Sequence, residues 1–339
     1  MPTLQDVASL AGVSTATVSK VLSNTPYVSE ATRDRVLQAI AELGYTPNLA
    51  ARALSSGRTH IIAVVFPYVY DAIFKDPHVM AILEGIEASL TSADYNILLS
   101  TPRLSPNGPD ESFRLLLRSG YIEGMIAIDN VPIASVAAEA QAAGVPTVVI
   151  GYHEAAASVR GDDEAGGRLL AAHLIDLGHR QLGVIGVPDT TNYAVDARRR
   201  GIRMALAEAN LPVQSLAFYA GDFSTRSGAE AVTALLTKHP DLTAIIAMND
   251  RMAMGAIQAL QQMGRCVPDD ISVTGYDNLA ISELVTPPLT TIDPLANQLG
   301  QTAVRLLVDS LQNNAYSHEV LPPELVVRAS TAAPIPVSR

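Results

Sequence analysis

Thr15, Ala16, Ser19 and Lys20 are spaced to share one outward face of a helix, and their chemistry is that of reading a DNA groove. The first residues are small enough for close approach to base edges, and an ammonium one turn later reaches a guanine or a phosphate. A second set lies far along the chain. Arg198 offers a fork of donors, Asn249 mixes donor and acceptor, and Asp277 only accepts. Polyhydroxylated ligands need such opposed groups, with an aromatic face to cover the apolar side of a ring, and Phe223 can supply that face. Two alternatives stay open: Asp277 can simply cap a turn, and Arg198, within Arg198-Arg-Arg200, can lie on a solvated face.

Catalytic patterns do not emerge. The chain has no phosphate-cradling Gly-Lys-Ser/Thr loop and no strand followed by Gly-x-Gly-x-x-Gly. Ser227-Gly228 lies outside any Gly-x-Ser-x-Gly elbow. His173 and His179, five residues between them, fall on different helix faces, so no metal pair and no cofactor is expected. Asp162-Asp163-Glu164 reads as an acidic helix N-terminus rather than a hydrolase's metal cluster. Cys266 has no neighbouring His to activate it and reads as structural.

The elements that must carry these residues are legible. Thr3 and Asp6 form a capping box, and Leu4, Val7, Ala8 and Ala11 recur at helical spacing. Gly12 supplies a turn, Ser14 caps a second helix, and Val18, Val21 and Leu22 face inward. A third helix runs from a Ser29 cap to Gly44, with Val36, Leu37, Ile40 and Leu43 expected in the core. Pro47 opens a short segment ended by Ser55, Ser56 and Gly57, too short for a stable lone helix. Its Leu54 suits a wedge between base steps in a minor groove; a plain linker would need no Leu there. From Ile61 onward, apolar runs such as Ile61–Phe66, Gly124–Ile128, Leu182–Gly186 and Ala244–Met248 alternate with helical stretches such as Asp163 to Leu177 and Ala194 to Asn210. That alternation implies parallel sheets covered on both faces, in two series and hence two lobes. Ligands in such sheets bind beyond the carboxyl ends of the strands. The tail Ala332-Ala-Pro-Ile-Pro-Val337 reads as flexible.

The chain resembles the LacI/GalR family of bacterial transcription regulators. The residues carrying the resemblance include Ala11-Gly-Val-Ser14, Ala16-Thr-Val-Ser19, Ala41-Glu-Leu-Gly-Tyr45, Pro47-Asn48, Leu177-Gly-His-Arg180, Asn249-Asp250, Gly275-Tyr-Asp277 and Pro288-Leu-Thr-Thr-Ile292. Lys20 stands where many members have Arg, and Lys does not replace a bidentate Arg faithfully. The resemblance implies a helix-turn-helix DNA-binding domain at 1–45 and a hinge helix and linker at 46–59. It also implies a periplasmic-binding-protein-like α/β body at 60–339 that binds an effector and dimerises. The N-lobe would hold about 60–160 and 293–320, and the C-lobe about 161–292 and 321–331. DNA contacts are expected from Thr3, Ser14, Thr15, Ala16, Thr17, Ser19, Lys20, Tyr45, Asn48, Ala51 and Leu54. Effector contacts are expected from Asp76, His78, Arg198, Phe223, Asn249 and Asp277, although His78 replaces the family's usual aromatic. The expected partners are a pseudo-palindromic operator, a small-molecule effector and a second copy of the chain. A sugar is the favoured effector, with a purine or nucleoside as the other reading because Phe223 and Arg198 can clamp a base. A transport-type sugar-binding protein shares such a body but would need a signal peptide and no helix-turn-helix.

Composition agrees. The chain of 339 residues, 48% hydrophobic and 17% charged, fits two or three packed domains. No apolar run is long enough to span a membrane, the N-terminus lacks a signal-peptide pattern, and a single cysteine is compatible with a reducing cytoplasm. Residues 1–58 carry five basic and four acidic side chains, a net +1, whereas 59–339 carry eighteen and thirty, a net −12. A module at +1 cannot hold DNA by bulk charge, so base contacts and dimerisation must contribute. After the strand-like Leu325–Arg328, Pro334 and Pro336 prevent a continuing coiled-coil helix, so a dimer is expected rather than a tetramer.

Overall fold

The computed structural model describes residues 2–22, 27–46, 58–66, 75–105, 108–128, 134–188, 193–213, 216–313 and 316–335. The chain divides into two compact units, Met1–His60 and Ile61–Arg339.

The first unit has three helices, α1 (Leu4–Ala11), α2 (Thr15–Leu22) and α3 (Glu30–Leu43). The capping box forms as the sequence requires, with Thr3 and Asp6 satisfying each other's backbone N–H groups. Gly12 takes the left-handed conformation (φ 66°) that ends α1 and turns the chain. Ser14 Oγ then accepts from the Thr17 N–H at 3.2 Å, capping α2. Val7, Ala8, Ala11, Val18, Val21, Val36 and Ala39 form the buried core. Two expectations change. Leu37 is 49% exposed, because the buried stripe of α3 runs through Val36 and Ala39 and one residue off it points outward. Ser29 occupies the N-cap position of α3, but its hydroxyl donates to Thr32 Oγ1 instead of capping the backbone.

The second unit begins with β1 (Ile61–Val65), α4 (Pro77–Ser92), β2 (Asn96–Ser100), the short β3 (Leu104–Ser105) and β4 (Gly108–Pro109), and α5 (Glu111–Arg118). It continues through β5 (Gly124–Ile128), α6 (Ala134–Ala142), β6 (Thr147–Ile150), β7 (Ala157–Gly161) and α7 (Asp163–Asp176). Next come β8 (Leu182–Gly186), α8 (Tyr193–Glu208), β9 (Ala217–Ala220), α9 (Thr225–Lys238), β10 (Ala244–Ala247) and α10 (Asp250–Gln262). β11 (Ser272–Thr274), β12 (Thr291–Asp293), α11 (Ala296–Asn313), β13 (His318–Leu321) and β14 (Glu324–Val326) complete it.

Two parallel sheets result. One has the order β13-β7-β6-β5-β1-β2, the other β11-β10-β8-β9. Their central strands, such as Gly124–Ile128 and Leu182–Gly186, are buried along their whole length, because helices cover both faces. α11, far along the chain, packs in the core of the first sheet through Leu299, Ala303 and Leu307. β12 and β14 pair antiparallel where the chain passes between the lobes.

Glycines let three helix pairs touch backbone to backbone. A Cβ on Gly85 or Gly300 would meet the backbone of α11 or α4, one on Gly167 or Gly201 that of α8 or α7, and one on Gly228 or Gly255 that of α10 or α9. One further expectation is corrected. The tail through Ile335 is not loose at its start: Ala332 N–H donates to Ser272 Oγ at 3.1 Å, and Ala332 O bonds His179 Nε2 at 2.8 Å. Cys266 is an exposed loop residue. No described helix is long and apolar enough to cross a membrane.

Asp250 is fully buried at the start of α10 and accepts from Leu279 N, Ser282 Oγ and Thr291 Oγ1 at 2.8, 2.6 and 2.6 Å. Burial outweighs these donors and pushes its pKa up to about 6. A raised acid favours the fold most while protonated, so this contribution is fullest below about pH 4 and is lost as pH rises through 6. The stability of the parent minus that of Asp250→Asn should fall by roughly 2 kcal/mol between about pH 4 and pH 7. Urea unfolding at both pH values measures this; a pH-independent difference contradicts it.

Candidate functional site

On the first unit, α2 presents Ala16, Ser19 and Lys20 to solvent, with Thr15 and Thr17 half-buried at its start. Ser14 and Thr17 hydroxyls bond each other at 2.9 Å. Thr3 is exposed, but its hydroxyl donates to Asp6 Oδ2 at 2.8 Å, so its role is first a structural one. Tyr45 packs partly against the three-helix core. Asn48, Ala51 and Leu54, with the expected hinge helix, lie outside the described residues.

On the second unit, a cleft of about 330 Å³ opens between the two sheets and is lined by all six residues expected to meet an effector. From the first lobe, Asp76 caps α4 by accepting from His78 N–H at 3.0 Å, which fixes both side chains beside the cleft. Burial pushes the His78 imidazole pKa down, favouring the neutral ring. Its Nδ1 is buried without a hydrogen-bond partner and lies 3.8 Å from Asp277 Oδ1.

From the second lobe, α8 delivers Arg198. Its Nε donates to Asp163 Oδ1 at 2.7 Å and its Nη1 to Met248 O at 2.7 Å. The guanidinium also lies 3.5 Å from the Tyr276 ring centroid. Burial disfavours its charge, but Asp163, Tyr276 and Asp277 offset that and raise the pKa overall. The solvated-face alternative is therefore excluded: the Arg198 side chain is 11% exposed. Asp277 has φ 112° and a buried carboxyl whose pKa is raised well above the usual range by burial, against the pull of Arg198. No described residue donates a hydrogen bond to that carboxyl.

Phe223, also in the left-handed region (φ 66°), partly packs on the second lobe's core while lining the cleft. Asn249 is largely spent internally: Oδ1 caps α10 through Met252 N at 2.9 Å, and Nδ2 donates to Phe223 O at 3.1 Å. It shapes the wall as much as it offers a contact.

Sequence reasoning missed Asp163 and Tyr276. Asp162-Asp163-Glu164 does form an acidic helix N-terminus, with Asp162 capping α7 by accepting from Ala165 N. Asp163 also holds Arg198 and accepts from Tyr276 Oη at 3.1 Å. The available signal was three consecutive acids where one cap suffices. Arg160, Asp222 and Arg251 also line the cleft and carried no distinguishing pattern. Among the described residues no group of His, Cys, Asp and Glu could hold a metal. The arrangement can accept hydrogen bonds at Asp277 and donate them from the remaining Arg198 N–H groups.

Residues 3–48 match the model described as bacterial regulatory proteins, lacI family, and residues 171–331 match a periplasmic binding protein-like domain. The chain is 35% identical to the HTH-type transcriptional regulator CelR of Thermobifida fusca, covering 97% of this chain and 98% of that one. It is 31% identical to the HTH-type transcriptional repressor PurR of Photobacterium profundum, with 97% and 98% covered. Among solved structures it resembles the lac repressor dimer bound to operator and the anti-inducer ONPF (TM-score 0.84, 30% identity, 98% and 99% covered). It also resembles the CelR–cellobiose complex (TM-score 0.72, 32% identity, 97% and 100% covered).

Proposed function

The chain belongs to the lacI family of bacterial regulatory proteins, and from that premise we propose that it is a transcriptional repressor whose operator affinity is set by a sugar held between its two lobes. The observation that carries the effector half is the cleft itself: a buried Asp277 carboxyl with no donor among the described residues, beside an Arg198 whose position is fixed by Asp163, Met248 and Tyr276. A vicinal pair of hydroxyls satisfies both an acceptor and a donor at once, and Phe223 borders the same space. Binding in the cleft would reach DNA through segment 46–59, which joins the units, by favouring one arrangement of the lobes.

A thermal-shift screen of mono- and disaccharides against purine bases and nucleosides tests the effector class. A sugar at a hundred times its Kd should stabilise the protein by about 2.7 kcal/mol and change operator affinity. Stabilisation by purines alone would replace the sugar.

At the DNA end, Lys20 is exposed on α2. Lys20→Ala should weaken operator binding by roughly 1–3 kcal/mol and leave random DNA less affected if Lys20 reads a base edge. Equal losses on both DNAs in a mobility-shift titration would assign it to a phosphate.

A module of net +1 binds a single half-site weakly, and pairing two modules raises avidity by ~10²–10⁴. We therefore assign the working form as a homodimer, with cytoplasmic DNA as its partner. Sedimentation at micromolar concentration should give twice the chain mass of 35.8 kDa. A stable tetramer, or a monomer holding a full operator tightly, would overturn it.

A further inference from the structure

Tyr152 and Tyr193 stack face to face, with ring centroids 4.5 Å apart and planes 11° from parallel. They come from different lobes. Tyr152 follows β6 of the first sheet, and Tyr193 opens α8 of the second lobe. Neither ring lines the cleft, but Gly151 and Ala194, their immediate chain neighbours, both do. The stack therefore sits at the rim and spans the gap between the lobes. Neither tyrosine belongs to a lobe's hydrophobic core, and Tyr152 is 44% exposed. Folding of either lobe does not explain the contact.

The surroundings hold the pair in place. Tyr152 Oη donates to Glu154 at 2.8 Å. Arg160, on β7 of the first lobe, and Arg200, on α8, each place the guanidinium carbon 5.4 Å from the Tyr193 centroid. Arg200 is itself held by Glu164 at 2.7 Å. The Arg160–Tyr193 contact is thus a second link across the same gap.

We propose that Tyr152 and Tyr193, with Arg160, form a clasp between the lobes that favours their closed arrangement and must part for the cleft to open. Deeper in the cleft the lobes approach again at His78 and Asp277, but that 3.8 Å approach is not a hydrogen bond. A stack confined to the rim acts on the closed state and is absent from the open one. An aromatic pair shifts such an equilibrium by roughly threefold to tenfold, and removing one ring forfeits that preference.

The test reads lobe separation directly and needs no effector, so its outcome is independent of whether the cleft takes a sugar. Spin labels at Glu111→Cys on the first lobe and Arg226→Cys on the second, in a Cys266→Ser background, report the interlobe distance by pulsed electron resonance. Labelled chains are diluted with unlabelled protein to isolate pairs within one chain. Tyr152→Ala and Tyr193→Ala should each raise the long-distance population threefold to tenfold relative to the short one, and Tyr193→Phe should not. The double variant should match Tyr193→Ala, since the stack and the Arg160 contact both end on that ring. Distance distributions identical to the parent in both single variants, or effects that add in the double, would overturn the proposal. Thermal melting of each variant, with Tyr152→Phe as a second ring-preserving control, separates loss of the clasp from loss of the fold.

Discussion

Arg198→Ala should remove the effector response and lower the melting temperature, whereas Asp277→Asn should weaken the response alone. The contrast follows from what each side chain does before any ligand arrives. Arg198 closes a buried pair with Asp163 and covers the Tyr276 ring, and its deletion leaves two buried carboxyls, Asp163 and Asp277, without their cation. Breaking such a pair from one side costs about 3–5 kcal/mol. In a body of this size that is a fall on the order of 10 °C. Asp277 has the opposite balance. Burial already penalises its charge and no described residue donates to it, so a neutral isostere leaves the unliganded fold as stable or slightly more so. What it loses is one carboxyl oxygen as an acceptor for the ligand, about 0.5–1.5 kcal/mol or twofold to tenfold in affinity. Calorimetric titration of the effector and melting of the free proteins measure the two halves. An unchanged effector response in Asp277→Asn would place the ligand elsewhere.

Gly201→Val should separate α7 from α8 and disable the cleft from a distance. The side chain has no room, because a Cβ at Gly201 overlaps the Glu164 carbonyl oxygen and crowds Arg168 N, both backbone atoms of α7. Backbone inside a helix cannot swing aside as a flexible side chain does, so the helices must move apart. Overpacking typically costs about 1–3 kcal/mol, and a backbone clash belongs at the upper end. Arg198 stands less than one turn before Gly201 on α8, and its bonds to Asp163 on α7 and to Met248 have lengths of 2.7 Å each. Separation by even one ångström stretches the Asp163 bond beyond hydrogen-bonding range. The expected result is a destabilised body whose effector affinity falls at least tenfold, read by melting and titration. Gly178→Ala is the comparison: it lies outside this helix contact, with only Pro334 carbon atoms near its Cβ direction, and any cost there comes from its φ of 103°. A Gly201→Val protein with parental affinity would show that α8 can shift without moving Arg198.

Much of this molecule is set by local rules. Thr3 and Asp6 three residues apart can only satisfy one another's N–H groups at a helix start, and Gly12 can adopt the left-handed turn at no steric cost. Apolar runs alternating with helical spacing determine parallel strands whatever their order, because both faces need cover. Three of the six cleft residues were legible for the same reason. Asp76 and Asn249 cap the helices after their strands, and Asp277 follows a strand, so all three come to the carboxyl edge where such folds bind ligands.

Other features depend on partners distant in sequence, and no local pattern encodes them. Leu37 is apolar and helical yet exposed, because only packing decides which side of α3 meets the core. Asp163 caps nothing; its role exists only because Arg198, 35 residues later, and Tyr276, 113 residues later, converge on its carboxylate. Ala332, the first residue of the stretch that reads as a flexible tail, is tied down by Ser272 and His179. The sequence by itself determined the elements, the two-unit order and which residues reach the strand ends, since those follow from capping, turns and periodicity within a few residues. The tertiary structure alone decided which donors are already spent, which carboxyl is left without one, and where the lobes touch, since burial and pairing are properties of the assembled fold.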